Sequence, residues 1–383
     1  MPADARNPGV DIDRTPTDSA AALLAAAAPS CRSRSAVVGF DAFVDAIYRP
    51  VRFKDAAGIP VFFRTISEFA DHLKTSAGRS GDLEIVLQEE RLGGNAPLLA
   101  LALAVLGVGC ACAAPLGARG AEPAFHGLAA ACDVVNLGAP ARSTAFEFED
   151  GKLMFGDAKS LHTLDWAAVE AAAGPGAFGA RLRGADLVAV VDWSYLDRLG
   201  DILDGIEREL DRDPAGARGT SLFFDLADPT TRSPGELRAF LLRLGRIAPR
   251  HRVALGLNEK EAAAAASALT GAESLSAAGP EADARAVRES AGIGEVVVHG
   301  LDYAVGADAA GTVRVAGRRV DRPRISTGGG DNFNAGYCLG LLAGLPMGNR
   351  LETATAASGF YVEQGRSATY DELVGAVAAQ RGR

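Results

Sequence analysis

Residues that chelate metals or build disulfide frameworks are sparse in this 383-residue chain. Its five cysteines (Cys31, Cys110, Cys112, Cys132 and Cys338) form no Cys-x-x-Cys pair and leave one over. That pattern suits a reducing cytoplasm and not a cross-linked secreted domain. The five histidines show neither His-x-His nor His-x-x-x-His spacing, which argues against a histidine-built metal site. The net charge of −9 argues against a nucleic-acid partner. A secretory leader is missing. Residues 1–35 open with Asp, Arg and Pro, and the run from Ala20 to Ala28 lacks a basic n-region, so 1–35 reads as a mobile tail ending in a short surface helix. No charge lies between Arg91 and Arg119. Pro97, Gly107, Gly109, Pro115 and Gly117 cut that stretch into pieces too short to cross a bilayer, so it reads as a buried helix, a turn and a buried strand, with no membrane partner. A Walker loop is also absent, and Gly107-Val108-Gly109 has no third glycine in register for dinucleotide binding.

A hydrophobic content of 48% supports a sizeable core, in one large domain or two small ones. The most informative stretch is Ile325-Ser326-Thr327-Gly328-Gly329-Gly330-Asp331-Asn332-Phe333-Asn334-Ala335-Gly336-Tyr337. Phe333, Tyr337 and Leu341 recur at helical spacing, and Gly344 with Pro346 marks a stop. The three glycines therefore sit at a helix N-terminus, where free N–H groups and the macrodipole favour an anion. A carboxylate is not needed to hold that anion. Asp331 makes sense there as the acceptor of a proton from an attacking hydroxyl while the N–H groups cradle a phosphate. By itself, Asp331 equally reads as a helix cap after a glycine turn.

Upstream, Ala36-Val37-Val38-Gly39-Phe40 reads as a first buried parallel strand, with Asp41 and Asp45 beyond its C-terminal end, where open α/β sheets bind ligands. At least one of the two reads as a solvated loop charge. Val51-Arg52-Phe53-Lys54 and Val61-Phe62-Phe63-Arg64 flank Ala57-Gly58 as a hairpin. Ile66, Phe69, Ala70 and Leu73 predict a helix over 65–75. Gly93-Gly94-Asn95-Ala96 precedes a helix starting at Pro97, a residue suited to a first helical position; Asn95 either caps that helix or makes a polar contact. Asp150-Gly151 reads as the turn of a hairpin over 145–155. Leu187-Val188-Ala189-Val190-Val191, Ser221-Leu222-Phe223-Phe224-Asp225 and Glu295-Val296-Val297-Val298-His299-Gly300 read as buried strands. Between the last two, a strand ending at Asn258 runs into a helix, with Asn258 and Glu261 spaced as a capping box. His299 reads as structural or as a phosphate contact. Strands alternating with helices predict a parallel sheet.

Ser326, Gly328, Gly330, Asp331, Phe333, Ala335 and Gly336 match the signature Thr/Ser-x-Gly-Ala-Gly-Asp-x-Phe-x-Ala-Gly. The chain thus resembles the ribokinase-like sugar kinases of the PfkB family, with Gly329 for the usual Ala and Tyr337 for the usual Phe. The order of elements agrees over about residues 36–375. The resemblance implies a three-layer α/β/α sandwich with a mostly parallel central sheet, spanning 36–383, and a small β-sheet lid inserted at about 49–91 and 141–156. It implies transfer of the γ-phosphoryl group of ATP to a hydroxymethyl group of a sugar or nucleoside, with Asp331 as base and Gly328, Gly329 and Gly330 as anion hole. Asp41 or Asp45, with Gly93, Gly94 and Asn95, would bind the acceptor, although Leu98 replaces the Asn usual four residues after the second glycine. Asn258, Glu261, His299 and Gly300 would attend the nucleotide, and Glu261 would hold Mg²⁺ through water. Asp225-x-x-Asp228-Pro229 resembles the family's Phe-Asp-Pro-Asn loop. Ile325 stands where an Asp usually opens the signature, which puts in doubt the potassium site found beside the anion hole in some members. A homodimer through open lid edges is expected. Two alternatives stay open on the same scaffold: an ADP-dependent sugar kinase, whose usual His-x-Glu motif is missing, and a non-catalytic sugar or nucleotide sensor.

Overall fold

The structure, a computed structural model, describes residues 19–212, 219–271, 279–321, 323–325 and 327–380. Strands β1 (Ser35–Gly39), β2 (Phe43–Lys54), β3 (Pro60–Phe62), β4 (Ile85–Gly93), β5 (Gly109–Ala114), β6 (Asp133–Asn136) and β7 (Ala141–Phe148) are followed by β8 (Gly151–Asp157), β9 (Leu187–Val190), β10 (Ser221–Asp225), β11 (Arg252–Asn258), β12 (Glu295–His299), β13 (Tyr303–Asp308) and β14 (Gly311–Ala316). Nine of them form the central sheet in the order β14-β13-β12-β11-β10-β9-β1-β5-β6. It is parallel from β6 to β12, and β13 and β14 add an antiparallel edge.

The apolar runs of β1, β9, β10 and β12 are buried on both faces, as parallel strands between helical layers must be. Alternation along a strand divides them between two cores. Val37, Val188, Leu222 and Val296 pack against the layer that includes helices Leu199–Asp211 and Pro234–Ile247. Val38, Ala189, Phe223 and Val297 pack against the layer of helices Asn95–Val105, Gly329–Leu342 and Met347–Gln364. Strand order reverses at β1, with β5 on one side and β9 on the other. In open α/β sheets ligands bind in the crevice outside the strands' carboxyl ends at such a point.

The remaining strands form a separate sheet, β3-β2-β7-β8, with β4 also paired to β2. Helix Ile66–Thr75 packs Phe69 against Phe63 and Phe148 of this lid. The Tyr337 hydroxyl has its own explanation: it bonds the buried Glu295, which is also held by Arg350 at 2.6 Å.

Three details differ from the sequence reading. The helix before β5 begins at Asn95, so Pro97 is its third residue, where the N–H is equally free of an intrahelical partner. In the 145–155 hairpin Phe148 pairs with Gly151, so the two-residue loop is Glu149-Asp150. The N-terminal segment is no surface appendage. Residues 1–18 lie outside the described residues, but helix Ala20–Cys31 buries Ala20, Leu24 and Cys31, and the Leu24 carbonyl accepts a 2.6 Å bond from the Tyr370 hydroxyl. Leu24→Ala should therefore lower stability by about 2–4 kcal/mol, read by urea unfolding. A loss below about 0.5 kcal/mol, the size typical of surface substitutions, would return the helix to the surface.

Candidate active site

Asp41 follows β1 and is completely buried. It accepts the N–H groups of Asn95 at 2.7 Å and Ala96 at 2.8 Å. It thereby caps the helix Asn95–Val105, whose N-cap residue Gly94 has no side chain to do so. The capping carboxylate therefore comes from 53 or more residues away in sequence, and it needs space. A Cβ on Gly94 would lie 2.7 Å from Asp41 Oδ2, and a Cβ on Gly93 would lie 2.6 Å from the Asp45 carboxylate. Each glycine clears room for one carboxylate.

Neither aspartate is a solvated loop charge. Asp45 is 8% exposed and lies on β2, in register with Arg91 of β4 and Ser143 of β7. Burial pushes its carboxyl up, and the charges of Arg91 and Lys152 oppose that. With Asp41 spent on a helix cap, Asp45 is the member of the pair whose oxygens accept no backbone N–H bond among the described residues. Asn95 is not a cap either. Its side chain donates to Asp225 Oδ1 at 3.2 Å.

Asp192 and Asp225 complete this edge. Asp192 follows β9 with φ 61 and accepts from the Tyr195 N–H at 3.2 Å. Burial, then the neighbouring Asp41, push its carboxyl well above the ordinary range. Asp225 ends β10 and is pushed up by burial against the donors Ala227, Asn334 and Asn95. The signal for both was an acid at the carboxyl end of a buried strand. Arg91, which the sequence marked only as the edge of an uncharged stretch, donates to Thr327 Oγ1 at 2.8 Å, next to the glycine run.

That run builds the other half of the site. Gly328 takes φ 88 as N-cap of helix Gly329–Leu342, a conformation that favours glycine. Ser326 lies outside the described residues. Asp331 stands in the first turn of the helix. Burial, then Asp225 and Asp41, raise its proton affinity far above that of an ordinary carboxylate. A cavity of about 410 Å³ opens beside it, lined among others by His299, Gly300, Ile325 and residues 328–330. His299 stacks on Phe333 with centroids 5.0 Å apart, and a Cβ on Gly330 would lie 3.4 Å from its Nε2. Burial pulls its imidazole down to about 4, so it is neutral at pH 7 and can accept or donate one hydrogen bond.

Asn258 and Glu261 do form the capping box, with Glu261 N–H bonded to Asn258 Oδ1 at 3.0 Å and Asn258 N–H to Glu261 Oε2 at 2.8 Å. Burial, then Asp225, push Glu261 to about 9, with Asp228 and Asp331 adding to the rise. The cap and a place in the acidic cluster coexist. Among the described residues no three acidic, histidine or cysteine side chains converge to chelate an ion.

The structure thus gathers residues 328–331, His299 and Gly300 around one cavity, with Asp41, Asp45, Gly93, Gly94 and Asn95 on the lid side and Glu261 within electrostatic reach of Asp331. A model of the prokaryotic ketohexokinase family matches residues 12–379. A ketohexokinase of Haloferax volcanii is 30% identical over 362 residues, covering 91% of this chain and 94% of its own. Among solved structures, a mutant of phosphofructokinase-2 from Escherichia coli (TM-score 0.59, 15% identity, 91% of this chain and 99% of that one) shares the fold. So does adenosine kinase from Sinorhizobium meliloti (TM-score 0.60, 19% identity, 91% and 99%). The fold is ribokinase-like, and the class is that of ATP-dependent carbohydrate kinases of the PfkB type. Within it, the chain belongs to the prokaryotic ketohexokinase family.

The buried acids carry a consequence for stability. Asp41 is raised from 3.8 to about 7, by burial first, against its helix-capping bonds. Between those values the folded chain keeps a proton that the unfolded chain has lost. Stability is therefore fully present below 3.8 and falls as pH rises towards about 7. In Asp41→Asn the unfolding free energy should fall less steeply than in the wild type across this window, measured by urea titration at several pH values. An unchanged slope would mean that another group carries the proton.

Proposed function

We propose that this ATP-dependent kinase phosphorylates the hydroxymethyl group of a ketohexose. The observation that carries the chemistry is the placement of Asp331 in the first turn of a helix that Gly328 caps and Gly329 and Gly330 open, beside a cavity and an acid-lined cleft. The acceptor class follows from the ketohexokinase of Haloferax volcanii, which matches nearly the whole chain. The family also sets aside the ADP-donor and sensor alternatives.

In this reading Asp45, with Gly93, Gly94 and Asn95, faces the sugar hydroxyls. The N–H groups of residues 328–331 hold the γ-phosphoryl group. Asp331 takes the proton as the sugar oxygen attacks phosphorus and the bond to the ADP oxygen breaks. Its raised proton affinity favours that transfer once the carboxylate is ionised. His299 and Gly300 line the phosphate cavity. The donor set fits Mg²⁺ as a hydrated ion delivered on the nucleotide, since Glu261 has both oxygens bonded by Asn258 and reaches outward only through water. Mg²⁺ would supply charge neutralisation on the phosphates. The free cysteines and the absence, among the described residues, of a helix long and apolar enough to cross a membrane support a cytoplasmic setting.

Three measurements bear on this. In a panel of sugars, kcat/KM for D-fructose should exceed that for D-ribose, D-glucose and adenosine by roughly tenfold or more, with phosphorus NMR placing the phosphate on a hydroxymethyl carbon. A better aldose or nucleoside would move the acceptor assignment. Asp331→Asn should lower kcat by about 10²–10⁴ and leave ATP binding intact, and an unaltered kcat would remove Asp331 from the chemistry. The lid leaves Phe53, Ile85, Leu87, Met154 and Phe155 exposed along open strand edges. The chain should accordingly sediment as a homodimer at micromolar concentration, and Phe155→Lys should favour monomers. A wild-type monomer would count against the lid as an interface.

A further inference from the structure

Asp225 enters the chemistry just set out only through the charge it places near Asp331, yet it is bonded from three directions. It closes β10, whose five residues are all buried. Its Oδ1 accepts from Asn95 Nδ2 at 3.2 Å and from the Ala227 N–H at 2.8 Å, and its Oδ2 accepts from Asn334 Nδ2 at 2.8 Å. Asn95 opens the helix directly behind Gly93 and Gly94, on the acceptor side. Asn334 follows Asp331 by three residues on the helix Gly329–Leu342, and residues so spaced share a helix face. The two asparagines, distant in sequence, therefore meet on one carboxylate.

The choice of side chains supports a specific tie. Asn334 is 2% exposed, and its Oδ1 is buried with no partner. Leaving that oxygen unpaired is costly, so the amide is oriented by the carboxylate alone. Gly256 makes room for it, since a Cβ there would lie 2.9 Å from Asn334 Oδ1. An ionised carboxylate accepts from both amides at once, whereas an amide in its place offers one acceptor and one donor group.

We propose that Asp225 is a positioning residue that ties the acceptor-side helix to the anion-loop helix and so fixes the distance between the sugar hydroxyl and the phosphoryl group. This rests on the sugar-kinase class and not on the ketohexose assignment. Misplacing reacting groups by about 1 Å costs on the order of 10²-fold in rate.

The test is a set of variants assayed with whichever sugar the wild-type enzyme turns over fastest. A wrong ketohexose assignment then appears as a different best sugar and leaves the test intact. Asp225→Asn should lower kcat about 30–100-fold, raise the sugar KM and leave the ATP KM within about threefold of wild type. The decisive readout is the crossed effect. Asn334→Ala, on the phosphate side, should raise the sugar KM about fivefold, and Asn95→Ala, on the acceptor side, should lower kcat about tenfold at saturating sugar, on the same positional ground. The double variant should be no worse than the poorer single by more than about threefold, since both act through one link. Losses that multiply in the double variant, an unchanged sugar KM in Asn334→Ala, or a wild-type kcat in Asp225→Asn would each overturn the proposal. If Asp225→Asn does not fold, the asparagine pair decides alone.

Discussion

The cleft is built around carboxylates withheld from water. Asp41, Asp192 and Asp225 stand at or just beyond the carboxyl ends of adjacent parallel strands, and each is less than a tenth exposed. An unpaired buried charge is very costly, and the local structure reads as a set of answers to that cost. Asp41 takes two backbone N–H groups from a helix start, Asp192 takes one from a turn, and Asp225 takes two side-chain amides and a backbone N–H. Glu261 is supplied by its own capping box. Burial, and after it the neighbouring carboxylates, raises the proton affinities of Asp192, Glu261 and Asp331. Acids held in this way are inclined to take up a proton, which phosphoryl transfer from a hydroxyl requires.

The same electrostatics separates the two halves of the cleft. On the lid side Arg91 and Lys152 temper Asp45, and Arg91 reaches across to Thr327 beside the glycine run. On the other side the cavity beside Asp331 is lined by the glycine run and His299 and also by Arg318 and Arg319. The glycine run thus lies between the cavity's own arginines and the guanidinium that Arg91 brings across from the smaller sheet.

Much of this was legible in the chain. Buried strands announce themselves by continuous apolar runs, and the glycine run at 328–330 declares a helix N-terminus because Phe333, Tyr337 and Leu341 follow at helical spacing. The signature residues and the Asn258–Glu261 spacing both placed groups that the structure gathers near Asp331. What stayed hidden depended on tertiary geometry. Asp41 caps a helix whose first residue is 54 positions away, so local rules assigned that helix start to Pro97. Asn95 looked like a possible helix cap because its partner Asp225 is 130 positions away. The tail was read from its alanine content, which carries no sign of the face that Leu24 buries. Tyr337 in place of the usual Phe gained a reason only once Glu295 and Arg350 were beside it.

Strand β2 (Phe43–Lys54) begins in the core and ends in the lid, with Asp45 near its root. At about 3.3 Å per residue, roughly 30 Å of strand lies beyond that aspartate. Mechanically this is a lever with its fulcrum at Asp45. A tilt of about 5° at the root would sweep the tip through roughly 2.5 Å, given that strand length, so small adjustments around Asp45 are amplified at the rim of the smaller sheet. The leverage also runs backwards. A load on the exposed tip near Phe53 would reach Asp45 only across two breaks in the ladder, between Val51 and Phe53 and between Ile47 and Tyr48.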